Sequence, residues 1–119
     1  MPQVLVAEDV AAISLALEDA LEEGDLTVAG PFASCTAALA WLRDHTPEVA
    51  VLDYLLTDGP STGLALELRR RCVPFVFVSG YWRPDLPTEL QEVPWIEKPL
   101  SIDDLLDALS SIRPARGGP

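Results

Sequence analysis

The chain has 119 residues, 49% of them hydrophobic, and a formal net charge of −11 from eight Lys plus Arg against nineteen Asp plus Glu. That length fits one domain and leaves no room for a second, and such apolar content excludes intrinsic disorder. The acidic balance works against binding a phosphate backbone, no apolar run reaches the roughly 18–20 residues of a membrane span, and a single histidine with two distant cysteines excludes a structural zinc site.

No basic region precedes the first apolar run, so no secretory signal is visible and a cytoplasmic location is expected. The only dense basic run, Arg69-Arg70-Arg71, ends a predicted helix, where it complements the helix dipole. Cys35 and Cys72 read as buried thiols, with a disulfide as the lesser alternative.

Strand and helix signals alternate along the chain. Gln3–Ala7 predicts the first strand, and Val10–Glu23 an amphipathic helix burying Ile13, Leu17, Ala20 and Leu21, with Gly24 as its stop. Thr27-Val28-Ala29 predicts a short second strand, after which Gly30-Pro31 is expected to turn the chain. Ser34 is placed to cap a second helix reaching about Asp44, with Ala37, Ala38, Trp41 and Leu42 inward. Val49–Leu52 reads as the third strand, and Thr57-Asp58-Gly59-Pro60-Ser61 as a loop rich in helix breakers. A third helix is predicted over Thr62–Arg71. Phe75-Val76-Phe77-Val78 has no polar face, as a strand covered on both sides requires. Pro84 and Pro87 interrupt the next helix, leaving at most a turn within Pro87–Gln91. Trp95-Ile96 gives the fifth strand, and Ser101 with Asp104 a variant capping box opening the last helix, whose stripe is Leu105, Leu106, Leu109 and Ile112. Five such units predict an α/β fold: a doubly wound, flavodoxin-like five-stranded parallel sheet in the order 2-1-3-4-5, with a short or irregular fourth helix. The domain is expected over residues 1–113, with 114–119 a mobile Pro/Gly tail.

Glu8-Asp9 follows the first strand and Asp53 ends the third, so a parallel sheet gathers three carboxylates at its carboxyl edge, where open α/β sheets bind ligands. Crowded carboxylates repel one another unless a hard cation holds them, and Mg²⁺ suits such an oxygen set. Ser79 ends the fourth strand and Lys98 follows the fifth. A hydroxyl and an ammonium there make room for a phosphoryl group on Asp53, whose transfer needs positioning and positive charge more than covalent help.

With Glu8-Asp9, Asp53, Ser79 and Lys98-Pro99 each at a strand end and in order, residues 3–112 resemble the CheY-like receiver domain of two-component response regulators. The resemblance implies that Asp53 is the phosphoacceptor, and that Glu8, Asp9, Asp53 and the backbone carbonyl of Leu55 hold Mg²⁺. It makes Ser79 the switch hydroxyl, Lys98 the phosphate-binding lysine, and Lys98-Pro99 a cis bond. Trp95, three residues before the lysine, takes the switch-aromatic position, although a static half-buried aromatic reads equally well. The run Pro74–Tyr81 is similar to the "FATGUY" motif of stand-alone alphaproteobacterial receivers, whose kinases are often of the HWE/HisKA2 type. The usual Met-Pro of the acceptor loop is replaced by Leu56-Thr57 with Gly59-Pro60. Leu55 and Tyr81 offer no group to orient water, so slow autodephosphorylation is expected.

The implied partners are a sensor histidine kinase or a histidine phosphotransfer protein, docking on Ala11, Ala12, Ser14, Pro99 and Leu100, and a downstream protein, with no DNA or membrane. A monomer is expected, because the broken fourth helix and Asp103, Asp104 and Asp107 disfavour the common receiver dimer. The chain is read as a complete protein that catalyses its own phosphotransfer without being an enzyme in the usual sense. The alternative is a binding-only pseudo-receiver, although no acid or lysine of the set is lost. A haloacid-dehalogenase phosphatase would need an acid where Leu55 stands, and a nucleotide-binding Rossmann unit a glycine-rich turn where Glu8-Asp9-Val10 stands.

Overall fold

A computed structural model describes residues 3–8, 11–24, 26–80, 85–98 and 101–112, with the side chains of residues 11–14 left undescribed. The described elements are, in chain order, β1 (Gln3–Ala7), α1 (Ala11–Glu23), β2 (Thr27–Phe32), α2 (Cys35–Leu42), β3 (Val49–Asp53), β4 (Leu55–Leu56), β5 (Gly59–Pro60), α3 (Thr62–Arg70), β6 (Phe75–Ser79), a 3-10 turn at Thr88–Leu90, β7 (Trp95–Glu97) and α4 (Ile102–Ile112). Five strands form one parallel sheet in the order β2-β1-β3-β6-β7, which is the 2-1-3-4-5 order expected of the five principal strands.

Side chains alternate across a strand with period 2, and here both faces are covered. Val4, Val6, Val51, Val76 and Val78 point to the layer of α1 and α4, against Leu17, Leu21, Leu105 and Leu109. Leu5, Ala7, Leu52 and Phe77 point to the layer of α2 and α3, against Ala38, Leu42, Leu64 and Leu68. Each large side chain fully buried in this way stabilises the fold by about 1.5–3 kcal/mol. Burial on both faces explains why β3 and β6 have no exposed residue and no alternating polar pattern.

Four expectations are corrected. Gly30-Pro31 does not turn the chain: β2 continues to Phe32 through a bulge, and Ala7 pairs with Phe32 after the register shifts. Gly30 has φ +109 and a cis bond to Pro31, and a Cβ on it would lie 2.7 Å from the Val6 carbonyl oxygen, so only glycine fits there. In α2, Ala38 and Leu42 are buried but Ala37 is exposed and Trp41 only half-buried. At 3.6 residues per turn the four spread over roughly 140° of the helix, wider than the side at Ala38 and Leu42 that the core covers, and Trp41 packs on Phe32 and stacks on exposed His45 at 4.5 Å. The cysteines are free and neither is buried. Cys35 is half-buried, and Cys72 is exposed with φ 59 in the turn that ends α3. Finally, the breaker-rich loop contains ordered structure, because Leu55 pairs with Pro60 and Leu56 with Gly59 in an antiparallel hairpin.

The helix expected between β6 and β7 is irregular, as predicted: among the described residues between Gly80 and Pro94, only the 3-10 turn is helical. Ser101 caps the last helix as expected, with the Asp104 N–H donating to Ser101 Oγ at 3.3 Å, which is one of the two bonds of a capping box. Arg71 goes further than dipole complementarity. It binds Glu67 at 2.6 Å and donates to the carbonyls of Leu42 (2.7 Å) and His45 (3.1 Å), closing the end of α2. Residues 114–119 lie outside the described residues.

Candidate functional site

β1, β3 and β6 end side by side because their registers align Ala7 with Leu52 and Asp53 with Val78. The residues at those ends therefore meet. Glu8 leaves β1, held by its N–H on the Phe32 carbonyl at 3.0 Å. Asp53 closes β3 and Ser79 closes β6, and the Lys98 N–H binds the Ser79 carbonyl at 2.8 Å as the chain leaves β7. Glu8, Asp53 and Ser79 are all buried, at 4%, 6% and 0% exposure.

Lys98 joins the two acids. Its Nζ lies 2.9 Å from Asp53 Oδ2 and 3.3 Å from Glu8 Oε1. Burial by itself would depress the lysine pKa. The hydrogen bond and charge of Asp53, with the charge of Glu8, outweigh it and hold the ammonium above its ordinary value. Lys98 is thus a fixed positive charge beside the Asp53 carboxylate at any physiological pH.

The loop after Asp53 is tied back to it. The Leu55 N–H faces Asp53 Oδ1 at 3.3 Å, and Ser61 Oγ donates to the Asp53 carbonyl at 2.8 Å. The Ser61 N–H reaches the Tyr54 carbonyl at 2.7 Å. Sequence reasoning missed Ser61. It stands at the position that caps α3, yet its hydroxyl makes no cap hydrogen bond and serves Asp53 instead. Its signal was only a Ser before Thr62, and many ordinary caps look the same. Tyr54 was also missed. It lies between Phe77 (6.0 Å) and Trp95 (5.5 Å), and Trp95 is half-buried on Phe77 at 5.4 Å.

Asp58, at the tip of the hairpin, accepts from the N–H groups of Cys35 and Thr36, which hold its carboxyl down at about 2. The Cys35 thiol is pushed up to about 11 by burial and by the Asp58 charge, which favour its protonated form. Asp9, Tyr81, Pro99 and Leu100 lie outside the described residues, as do the side chains of Ala11, Ala12 and Ser14. The expected cis Lys98-Pro99 bond and the docking surface therefore fall there too. Among the described residues no group of three His, Cys, Asp or Glu could hold a metal ion; the acids brought together are Glu8 and Asp53. Also among them, no helix is long and apolar enough to cross a membrane.

This fold, with a carboxylate, an ammonium and a hydroxyl at the ends of adjacent parallel strands, defines a doubly wound, flavodoxin-like α/β module with a polar cluster at the carboxyl edge of its sheet. No family model matches the chain. It is 34% identical to SdrG from Sphingomonas melonis Fr1, over 93% of this chain and 95% of that one, with a TM-score of 0.79. It is 28% identical to a CheY-like response regulator receiver domain from Methylobacillus flagellatus, over 95% and 99%, with a TM-score of 0.78. It is also 26% identical over 111 residues to the transcriptional regulatory protein PdtaR of Mycobacterium tuberculosis, matching 90% of this chain and 54% of that protein. The chain therefore spans about half the length of the curated relatives it matches. It belongs to the CheY-like receiver domains of two-component response regulators.

Proposed function

We propose that this receiver accepts a phosphoryl group from a phosphohistidine onto Asp53, in a two-component or phosphorelay system, and that the change alters its affinity for a protein partner. The observation that carries this reading is the buried Asp53 carboxylate with the Lys98 ammonium 2.9 Å away. An Asp53 carboxylate oxygen forms the new O–P bond as the N–P bond of the donor breaks. The imidazole leaves with the bonding electrons and takes up a proton.

The donor set here fits a hard divalent cation. Buried Glu8 and Asp53 converge on one point of the sheet edge, and two carboxylates side by side are an oxygen set whose repulsion such a cation would offset. Glu8, Asp9, Asp53 and the Leu55 carbonyl would hold Mg²⁺, which when bound neutralises charge on the phosphoryl oxygens. Lys98 supplies the protein's own positive charge for those oxygens. The Ser79 hydroxyl donates a hydrogen bond to one of them, and Ser61 keeps the acceptor's main chain fixed while the bond forms.

The donor is a sensor histidine kinase or a histidine phosphotransfer protein. The motif over Pro74–Tyr81 and the reduced fourth helix support the FATGUY subfamily, and with it an HWE/HisKA2-type kinase. We place the protein in the cytoplasm, as a monomer acting through protein contacts. Apolar, half-buried Leu55 offers no group to orient an attacking water, so hydrolysis of the acyl phosphate is slow. Intact-mass spectrometry after incubation with Mg²⁺ and phosphoramidate tests both statements. A phosphoryl adduct is expected on the wild type and not on Asp53→Asn, decaying over minutes or longer. A wild type that takes no phosphoryl group would refute the acceptor reading, and decay within seconds the slow hydrolysis.

A further inference from the structure

The hairpin that follows Asp53 is fastened at both ends. At its base, Ser61 holds the carbonyls of Asp53 and Tyr54 at 2.8 and 2.7 Å. At its tip, Thr57 gives both its N–H (3.0 Å) and its hydroxyl (2.9 Å) to the Ala33 carbonyl. The Asp58 carboxylate accepts from the Cys35 N–H at 2.8 Å, the Thr36 N–H at 3.0 Å and the Thr36 hydroxyl at 2.9 Å. The Cys35 thiol adds a long contact to the Pro60 carbonyl at 3.6 Å. Between the ends, two strand pairs leave only Thr57 and Asp58 as the turn, and Leu56 is buried in the core.

Such a short, doubly fastened segment has no slack. The main chain at Leu55 cannot shift without moving the tip or breaking its hydrogen bonds. The tip in turn holds donors that α2 does not satisfy itself. Ser34 accepts from Ala37, whereas the N–H groups of Cys35 and Thr36 go to Asp58.

We propose that Asp58 is a positioning residue for the acceptor site, coupling the main chain beside Asp53 to the first turn of α2 through the hairpin. The inference rests on the phosphoacceptor reading above. Occupancy at Asp53 and Leu55 then changes the environment of Cys35 and Thr36. Occupancy that tightens the latch is, by reciprocity, weakened by the same factor when the latch is released.

The test is amide NMR on the full chain and on its Asp58→Ala and Asp58→Asn variants, titrated with Mg²⁺ and then with beryllofluoride, which mimics an acyl phosphate. In the wild type, the amides of Leu55, Ser79, Cys35 and Thr36 are expected to shift together. In Asp58→Ala, the shifts at Leu55 and Ser79 persist while those at Cys35 and Thr36 are lost, and Mg²⁺ binds about fivefold more weakly. Asp58→Asn keeps a carbonyl acceptor and should fall between the two. A purely structural cap would disturb Cys35 and Thr36 without ligand and leave Mg²⁺ affinity unchanged, and that result overturns the proposal. So do unmoved Cys35 and Thr36 amides in a wild type whose Leu55 and Ser79 respond. No response anywhere would instead refute the phosphoacceptor reading, and the coupling with it.

Discussion

Replacing Lys98 with methionine keeps most of the side-chain volume and removes the charge that joins Glu8 to Asp53. At an effective dielectric constant near 20, unit charges 2.9 and 3.3 Å apart attract by roughly 5–6 kcal/mol each. Desolvation of the ions offsets several kcal/mol of this, and removing one partner of a buried pair typically costs about 3–5 kcal/mol. The Lys98 side chain keeps 19% exposure, against 2% for Glu8 and 7% for Asp53, which places the loss near the lower end, at about 3 kcal/mol. Urea unfolding in EDTA at neutral pH measures it. With a slope of about 1.5 kcal/mol per molar, the midpoint should fall by roughly 2 M. Lys98→Arg, which keeps the charge, should lose less than half as much. A Lys98→Met midpoint within about 0.7 M of the wild type would show that water already screens the cluster. Equal losses in the two variants would assign the effect to packing, and the electrostatic argument would fail.

Two further outcomes can be checked on the same unfolding assay. Ser61→Ala leaves the Asp53 carbonyl buried without its hydroxyl donor, and should cost about 1–3 kcal/mol; a loss under half a unit would mean that Ser61 does not hold the acceptor strand. Asp58 has a pKa lowered to about 2, so its charge contributes stability above the unfolded value of ~3.9 and loses it as the pH falls through about 2. The stability difference between wild type and Asp58→Asn should therefore hold steady from neutral pH to about 5 and close between about 4 and 2. A difference that instead persisted unchanged at pH 2 would contradict the assignment.

Much of this protein was legible before folding was considered. The run Phe75–Val78 has no polar face, so only a strand between two helical layers accommodates it, and its residues are buried on both sides. Asp53 and Lys98 were legible because chemistry at the edge of a parallel sheet must sit at strand ends, and the strand ends can be counted. The interrupted fourth helix followed from Pro84 and Pro87, since proline cannot donate to a helical ladder. Gly30-Pro31 misled, because the dipeptide signals a turn locally while the bulged pairing with β1 carries the strand onward.

The sequence by itself determined the order of elements, the apolar pattern of each strand and which polar residues stand at the strand ends. These depend on local period and on residue type at element ends. The tertiary structure alone decided that Lys98 lies between Glu8 and Asp53, that Ser61 turns from its cap position to Asp53, and that Asp58 holds α2. Each is a hydrogen bond or ion pair between distant segments, except Ser61, whose choice depends on the fold of the hairpin. Their partners stand 90 and 45 residues apart for Lys98, and 23 and 22 for Asp58. No periodicity reaches across such intervals. The sheet brings those residues together, and the geometry it imposes selects which polar groups pair.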